Sequence, residues 1–436
     1  MQFFRGIIFL SALTIGYVHA VSATDEIVYK QAKELSSKSL RSDLAYKIIE
    51  SLTTEVGQRQ AGSEAEKRAR DWGVAKFKQL GFENVRVEPF EVDYWQRNLE
   101  QAEIISPFPQ KLIITALGGS VATPANGLSG EIVIFPTLQA LKDAPMEGLE
   151  DKIVFVDEFM TRTQDGSGYG VAVQKRSGAA NEAGKRGAAA ALIRSVGTDH
   201  HRFPHTGQMS YEKGLPKIPV AALSAPDADQ LGRAVLLGKV EVKLVIDVET
   251  KGKRQSGNVI GEIPGHTDEI VIIGGHLDSW DLGTGAVDDG AGIGITVGAA
   301  KLILDMNQKP HRTIRVVMFG AEEVGLVGAR AYAKQHKFEI DKHIVGAESD
   351  FGAGKIWSFE TRFANSKLAM AQEMHKVLEP LGIALGGNKA SGGPDMGPLR
   401  TMGMPVVTLK HNGWDSFDPH HTPDDTFDKI NSNDIA

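Results

Sequence analysis

The stretch from Val271 to Gly294, Val-Ile-Ile-Gly-Gly-His-Leu-Asp-Ser-Trp-Asp-Leu-Gly-Thr-Gly-Ala-Val-Asp-Asp-Gly-Ala-Gly-Ile-Gly, leaves this chain few folds to choose from. An apolar run, Ile270 to Ile273, ends in His276-Leu277-Asp278. A glycine-rich loop follows, and Asp288-Asp289 stands where an apolar, Ala/Gly-rich helix begins. Buried strand, acidic loop and helix start in succession form the unit of an open α/β sheet, whose chemistry sits in the crevice beyond the carboxyl ends of its strands. Three later segments repeat the pattern. Thr313 to Phe319 leads into Glu322-Glu323, Ile344-Val345 leads into Glu348-Ser349-Asp350, and Pro405 to Leu409 precedes a loop holding His420-His421-Thr422-Pro423-Asp424-Asp425. Histidines and carboxylates gathered at successive strand ends point to a metal centre.

Each of these residues also has an ordinary structural use. His276 and Asp278 lie two apart on a strand and point the same way, so Asp278 is able to accept the imidazole N–H and leave the other nitrogen for a metal. A buried histidine with a carboxylate partner is equally a plain core feature. Asp288 and Asp289 would be favourable at a helix N-terminus through the dipole alone; with two metals present, Asp288 would be the bridging carboxylate. Glu322 and Glu323 repel each other unless a cation lies near. In a metal site one ligates and the other stays free as general base toward water. Asp350 is a ligand or a cap. Either His420 or His421 could ligate, and His421 is preferred because Thr422 and Asp425 follow it and offer a partner for its second nitrogen. The joint occurrence is what carries weight.

The rest of the composition narrows the setting. With 436 residues, 42% of them hydrophobic, the chain has enough material for two packed cores. A net charge of −7 with interspersed signs gives no basic footprint for nucleic acid. Zero cysteines exclude a disulfide framework and thiolate ligands, so a metal must be held by histidine and carboxylate. Met1 to Ala23 carries Arg5, an apolar stretch from Gly6 to Tyr17, and small-residue cleavage sites ending at Ala20 and Ala23. Its apolar part is about twelve residues against the roughly 20 a membrane-spanning helix needs, so it is expected to be a signal peptide. The mature protein is expected to be secreted or periplasmic, with no membrane span.

Along the chain, Glu26–Ser36, Ser42–Thr54 and Glu64–Leu80 have helical spacing; Ser63 and Glu66 form a capping box for the third, and Gly81 stops it. Asn84–Val92 alternates as a strand. From Gly119 the texture changes to short apolar strands (130–135, 152–156, 189–193, 218–223 and 239–246) with glycine-rich turns and one helix-like stretch, Gln174–Lys185. Lys251–Gly257 reads as a basic, polar linker. Asn258–Ile263 then starts a strand–helix alternation that runs to the end. The expected organisation is a catalytic domain made of residues 24–118 and 251–436, interrupted by a β-rich module, residues 119–250.

Gly-His276-Leu-Asp278, Gly-Ala-Val-Asp288-Asp289-Gly-Ala-Gly, Ala-Glu322-Glu323-Val-Gly-Leu-Val-Gly-Ala, Glu-Ser-Asp350 and His421-Thr-Pro-Asp-Asp-Thr together resemble the co-catalytic dizinc exopeptidases, most of all a branch of secreted dipeptidases. The resemblance implies a mixed central sheet with helices on both faces and an inserted protease-associated domain. It implies two Zn²⁺ per chain: His276 and Asp350 on one, Glu323 and His421 on the other, Asp288 bridging. Glu322 would be general base and acid, with Asp278 and Asp425 in support and a cis peptide after Asp288. The expected reaction is hydrolysis of dipeptides or short peptides. Similar carboxypeptidases place a tyrosine just before the second histidine ligand to polarise the substrate carbonyl. His420 stands there and is expected to take that role or leave it to a metal. A homodimer and a closing helix past the last ligand are also implied; the chain ends at Ala436, so a C-terminal truncation is expected.

Some matters stay open at this level. Asp289 is a further acid beside the site, and Ser391-Gly392-Gly393-Pro394-Asp395 either lines the substrate pocket or is a plain Gly-Pro turn. His200, His201 and His205, with Asp199, are expected on a solvated or cleft-facing loop. Aminopeptidases on longer peptides, single-zinc glutaminyl cyclases and metal-free receptor modules share this fold, and a count of zinc per chain separates the last two from a dizinc peptidase.

Overall fold

A computed structural model describes residues 23–306 and 308–436. The signal peptide assigned to Met1 through Ala23 lies outside the described residues except for Ala23, which opens the first helix. Among the described residues no helix is long and apolar enough to cross a membrane.

Three helices come first: α1 (Ala23–Ser39), α2 (Leu44–Glu55) and α3 (Glu64–Leu80). The Ser63 half of the expected capping box forms, while Glu66 reaches one residue further back than the box requires, since the Ser63 N–H is taken by the Gln60 carbonyl. The Ser63 hydroxyl accepts the Glu66 N–H at 3.1 Å, a Glu66 carboxylate oxygen accepts the Gly62 N–H at 3.3 Å, and Gly81 closes α3 in the left-handed conformation at φ 88°. Next come β1 (Glu83–Ser106), β2 (Gln110–Leu112), β3 (Ile114–Ala116) and β4 (Leu128–Phe135). Helix α4 (Leu138–Asp143), β5 (Ile153–Val156), α5 (Ser167–Ala172), α6 (Gln174–Lys185), β6 (Ala190–Arg194), β7 (Val220–Leu223) and α7 (Ala225–Leu236) follow, then β8 (Glu241–Ile263). The remainder alternates: β9 (Ile270–His276), α8 (Ala291–Leu304), β10 (Thr313–Phe319), α9 (Val327–Gln335), β11 (His343–Glu348), β12 (Ile356–Arg362), α10 (Leu368–Leu378), β13 (Ala384–Leu385), α11 (Gly397–Thr401) and β14 (Val406–His411).

The strands run in the order β13-β12-β14-β11-β9-β10-β8-β4-β5-β6-β7-β3. At its centre β14, β11, β9 and β10 are parallel, flanked by antiparallel β12 and β8, which makes a mixed sheet with helices on both faces. One face packs Ile48, Leu52, Phe77, Val297, Val316 and their neighbours under α2, α3 and α8; the other packs Ile272, Val317, Phe319, Tyr332 and Leu399 under α9 and α11. Parallel strands with both faces covered are apolar throughout, which is why β9 and β10 show as apolar runs rather than alternating ones. Strands β4 to β7 are parallel to one another and carry apolar cores on both faces of their own. Helix α6 is the stretch expected there, while α4, α5 and α7 are helices that the sequence pattern does not announce.

The segment expected as a linker is strand. Strand β8 runs unbroken through Lys251–Gly257 and pairs antiparallel with β1 along nearly its whole length, Glu83↔Glu262 to Ser106↔Glu241. Residues Glu249–Lys253 are exposed, so this part of β8 has no buried face and leaves no apolar alternation in the sequence. Backbone pairing with β1 and the ion pair of Lys253 with Asp93 at 3.0 Å hold it.

Candidate functional site

Strands β9, β10 and β11 end side by side, and the residues that follow them meet at that edge. His276, fully buried at the end of β9, points Nε2 at Asp288 Oδ1 (2.9 Å) and Asp350 Oδ1 (3.6 Å). Asp288 Oδ2, the other oxygen, faces His421 Nε2 at 3.1 Å and His420 Nε2 at 3.4 Å, and His421 Nε2 also meets Glu323 Oε2 at 3.0 Å. Two sets of ligand atoms that share Asp288 therefore form: His276, Asp288 and Asp350, and Asp288 with the two histidines, each set within 4.8 Å and able to hold a cation. The peptide between Asp288 and Asp289 is cis.

The supporting contacts differ from the sequence expectation in two places. The Asp278 carboxylate stands 3.7 Å from His276 Nδ1; the acceptor at 2.9 Å is the Asp278 carbonyl. The carboxylate instead accepts the backbone N–H of Glu322 (3.0 Å) and Glu323 (3.3 Å), fixing the turn that presents both glutamates. Likewise Asp425 does not touch the His421 ring. It accepts the N–H of Val287 (2.7 Å) and Asp288 (3.2 Å), and His421 Nδ1–H goes to the Thr206 carbonyl at 3.1 Å. In both cases free backbone donors in a tight turn lie nearer the carboxylate than the imidazole does.

Asp289 faces away from the cavity. It accepts the His276 N–H and the Gly292 N–H, both at 2.9 Å, and so ties the end of β9 to the start of α8. A Cβ on Gly275 would lie 2.3 Å from its Oδ2, so glycine is required for that approach. Arg59, fully buried, donates to the carbonyls of Gly57, Leu277, Thr284 and Gly285 and clamps the loop between His276 and Asp288. Sequence reasoning placed Arg59 only in a turn, since all its partners but Gly57 lie more than two hundred residues away.

Burial governs the electrostatics. Burial pushes the Glu322 carboxyl well above its ordinary range, with Asp350, Glu323 and Asp395 adding to it against His276. Burial and Asp288 raise Glu323, opposed by His421. Against the burial that would lower it, the carboxylates around His421 hold that imidazole up at about 9. His420 goes the other way, well below its usual value, through burial and the adjacent His421 on which it stacks at 3.6 Å. Burial and Asp288 push Asp425 up to about 7.

The ligand atoms open onto a cavity of about 450 Å³ lined by Asp288, Glu322, Glu323, Asp350, His420 and His421, and also by Tyr169, Arg176, Gln208, Phe351 and Phe417. A neighbouring compartment of about 500 Å³ shares Leu326, Asp350, Phe351 and Pro394 with it and contains Ser391, Glu348, Arg400 and Lys410. Ser391 therefore lines the cleft. Gly392 and Asp395 are buried behind it: the Gly392 carbonyl accepts the Glu348 N–H at 2.7 Å, and the Asp395 N–H donates to Glu348 Oε2 at 2.7 Å. Glu348 was visible only as part of the Glu-Ser-Asp350 motif. His205 is buried rather than solvated, with Nδ1 on the His420 carbonyl and Nε2 on Asp199, both at 2.6 Å, while His200 and His201 are exposed.

The mixed α/β sheet, with acids and histidines gathered at its carboxyl edge, together with the family it matches, makes the chain a metallo-exopeptidase. The chain belongs to peptidase family M28, whose model matches residues 258–436. It is 34% identical to carboxypeptidase Q of Bos taurus over 385 residues, covering 88% of this chain and 80% of that protein. A crystal structure of a peptidase M28 precursor from Shewanella amazonensis superposes with a TM-score of 0.93 at 52% identity, covering 94% of both chains. A zinc aminopeptidase of Bacillus subtilis shares the fold at 21% identity and a TM-score of 0.66, covering 90% of each chain. Zinc is the metal this family implies.

Proposed function

We propose that the protein is an exported exopeptidase that uses two zinc ions per chain to hydrolyse dipeptides or short peptides, with Glu322 as general base. The single observation that carries this reading is Asp288, whose two oxygens face two different ligand sets. The donors suit zinc: imidazole nitrogens and carboxylate oxygens, no thiolate. Buried Glu323 Oε1 has no hydrogen-bond partner, which a cation beside it would supply. His276 and Asp350 would hold one ion, Glu323 and His421 the other, with Asp288 between them. His421 is favoured over His420 because its Nε2 meets both Asp288 and Glu323 while Nδ1–H is fixed on Thr206.

Bound zinc supplies Lewis-acid polarisation and an activated water. The chain's own residues do the rest. The Glu322 carboxylate, raised by burial, is poised to accept a proton from the attacking water and deliver it to the leaving amine nitrogen. Asp278 fixes the backbone of Glu322, and Arg59 with Asp425 fixes the loop that carries Asp288. His420, neutral and stacked on His421, is the candidate for polarising the substrate carbonyl. Residues 119–250 are read as a protease-associated domain that closes one wall of the cleft with Tyr169, Arg176 and Gln208.

The test is hydrolysis of a neutral dipeptide and of its N-acetylated form by the zinc-loaded protein, each with and without chelator. Cleavage of the free dipeptide alone, abolished by chelation, is expected. Turnover that survives full removal of the metal would overturn the reading.

A further inference from the structure

Arg176, near the start of α6, is only 4% exposed, yet its guanidinium has no carboxylate partner. The other buried arginines among the described residues are all satisfied. Arg186 meets Glu182, Arg194 meets Asp157 and Asp229, Arg315 meets Glu262, and Arg59 fills its donors with backbone carbonyls. Arg176 Nη1 donates to the Tyr169 hydroxyl at 2.8 Å and Nε has no partner. Nη2 lies 3.3 Å from His421 Nδ1, but that nitrogen gives its hydrogen to Thr206, so this is a contact between two donors. Of five N–H groups on the guanidinium, one has an acceptor. A buried cation left in this state is costly unless something else neutralises it.

The surroundings make this a built site rather than a stray side chain. Gly207 lies flat against the guanidinium, and a Cβ there would be 2.2 Å from Arg176 Cζ. Arg176 is the one lysine or arginine lining the metal-side cavity, which it shares with Asp288, Glu322, Glu323 and Asp350. One cation thus stands in a cavity otherwise lined by acids, histidines and neutral groups. Only the His421 ring separates the guanidinium from the Glu323 carboxylate. The guanidinium touches one nitrogen of a ring whose other nitrogen meets Asp288 and Glu323, so the substrate group it reaches belongs to a residue adjoining the scissile bond.

We propose that Arg176 is a specificity-determining residue that receives the free C-terminal carboxylate of the substrate, through the charge-assisted pairing that a guanidinium makes with a carboxylate. This rests on the exopeptidase reading and deepens it. The substrate class it selects is a dipeptide with an unblocked carboxyl end.

The experiment compares L-alanyl-L-alanine with its C-terminal amide on the zinc-loaded full chain, wild type against Arg176→Gln and Arg176→Lys, with zinc content measured for each. Wild type is expected to favour the free acid by at least about tenfold in kcat/KM. Arg176→Gln should cut kcat/KM on the acid by about 30- to 100-fold while the amide stays within about twofold, and Arg176→Lys should fall between. Calorimetric binding of L-alanine against L-alaninamide should lose the same preference in Arg176→Gln, a readout independent of turnover. Equal cleavage of both peptides by wild type would overturn the assignment of Arg176 alone. A proportional loss on both substrates in Arg176→Gln, or loss of zinc, would instead make Arg176 a support for His421. Cleavage of neither peptide by zinc-loaded wild type would sink the exopeptidase reading itself.

Discussion

Glu322→Gln should separate catalysis from stability, and in opposite directions. The substitution keeps the shape and removes the group that takes the proton. General-base catalysis contributes about 10²–10⁴ in rate, or about 3–5 kcal/mol of barrier, so kcat should fall by that factor. Glu322 makes no ligand-distance contact to His276 or His421, whereas Asp288, Glu323 and Asp350 do, so zinc content should be unchanged. Burial and the neighbouring acids raise its carboxyl well above the ordinary value. A carboxyl raised in the folded state costs stability as pH climbs above the unfolded value, because the unfolded chain ionises first. Gln carries no such cost, so in chelator the variant should unfold at a higher midpoint than its parent, with the gap widening from pH 5 to pH 8. The assay combines zinc analysis, steady-state rates on a dipeptide, and denaturant unfolding at several pH values. Zinc lost together with turnover would make Glu322 a ligand and refute the reasoning, as would a variant less stable at pH 8.

Arg97→Ala should destabilise strongly by leaving charges buried. Arg97 pairs with both oxygens of Asp281 at 3.0 Å and with Glu100 at 2.6 Å, and it reaches the Thr206 hydroxyl at 3.2 Å. Breaking such a pair costs about 3–5 kcal/mol, readable as a shift in unfolding midpoint, and a change under about 1 kcal/mol would count against the account. His421 sets a pH dependence. With its folded value at about 9 against 6.5, its proton stabilises the metal-free chain fully below about pH 6.5, and roughly 3 kcal/mol is lost as pH rises through 9. Zinc needs that nitrogen free, so zinc affinity should rise with pH over the same window; titration calorimetry in buffers of differing ionisation heat would show the proton released.

What could be read from the sequence was local chemistry. The limits of α3 follow from Ser63, Glu66 and Gly81, because caps and stops act within a few residues. The acids and histidines at the ends of β9, β10, β11 and after β14 were legible because each follows an apolar strand. Partner choice was not. Asp278 and Asp425 bind backbone N–H groups that no side-chain spacing announces, and Arg176 meets His421 across 245 residues. The middle of β8 escaped because its own residues there, Glu249–Lys253, bury no face and so write no pattern.

The ribbon of β1 and β8 also decides how the wall with Tyr169 and Arg176 is presented to the metal side. A flexible tether would offer those residues only at a millimolar effective concentration, with the entropy of docking still to be met on each encounter. Here two paired strands cross together, so orientation is settled at folding, as near-attack geometry requires. The ribbon's pairing is interrupted at register shifts, among them those between Asp93 and Trp95 and between Arg97 and Leu99, where a paired ribbon bends most readily. Excising residues 119–250 would not release a tidy catalytic core: it would take away the far half of β8 and leave the outer part of β1 as an unpaired edge, open to pairing with other chains.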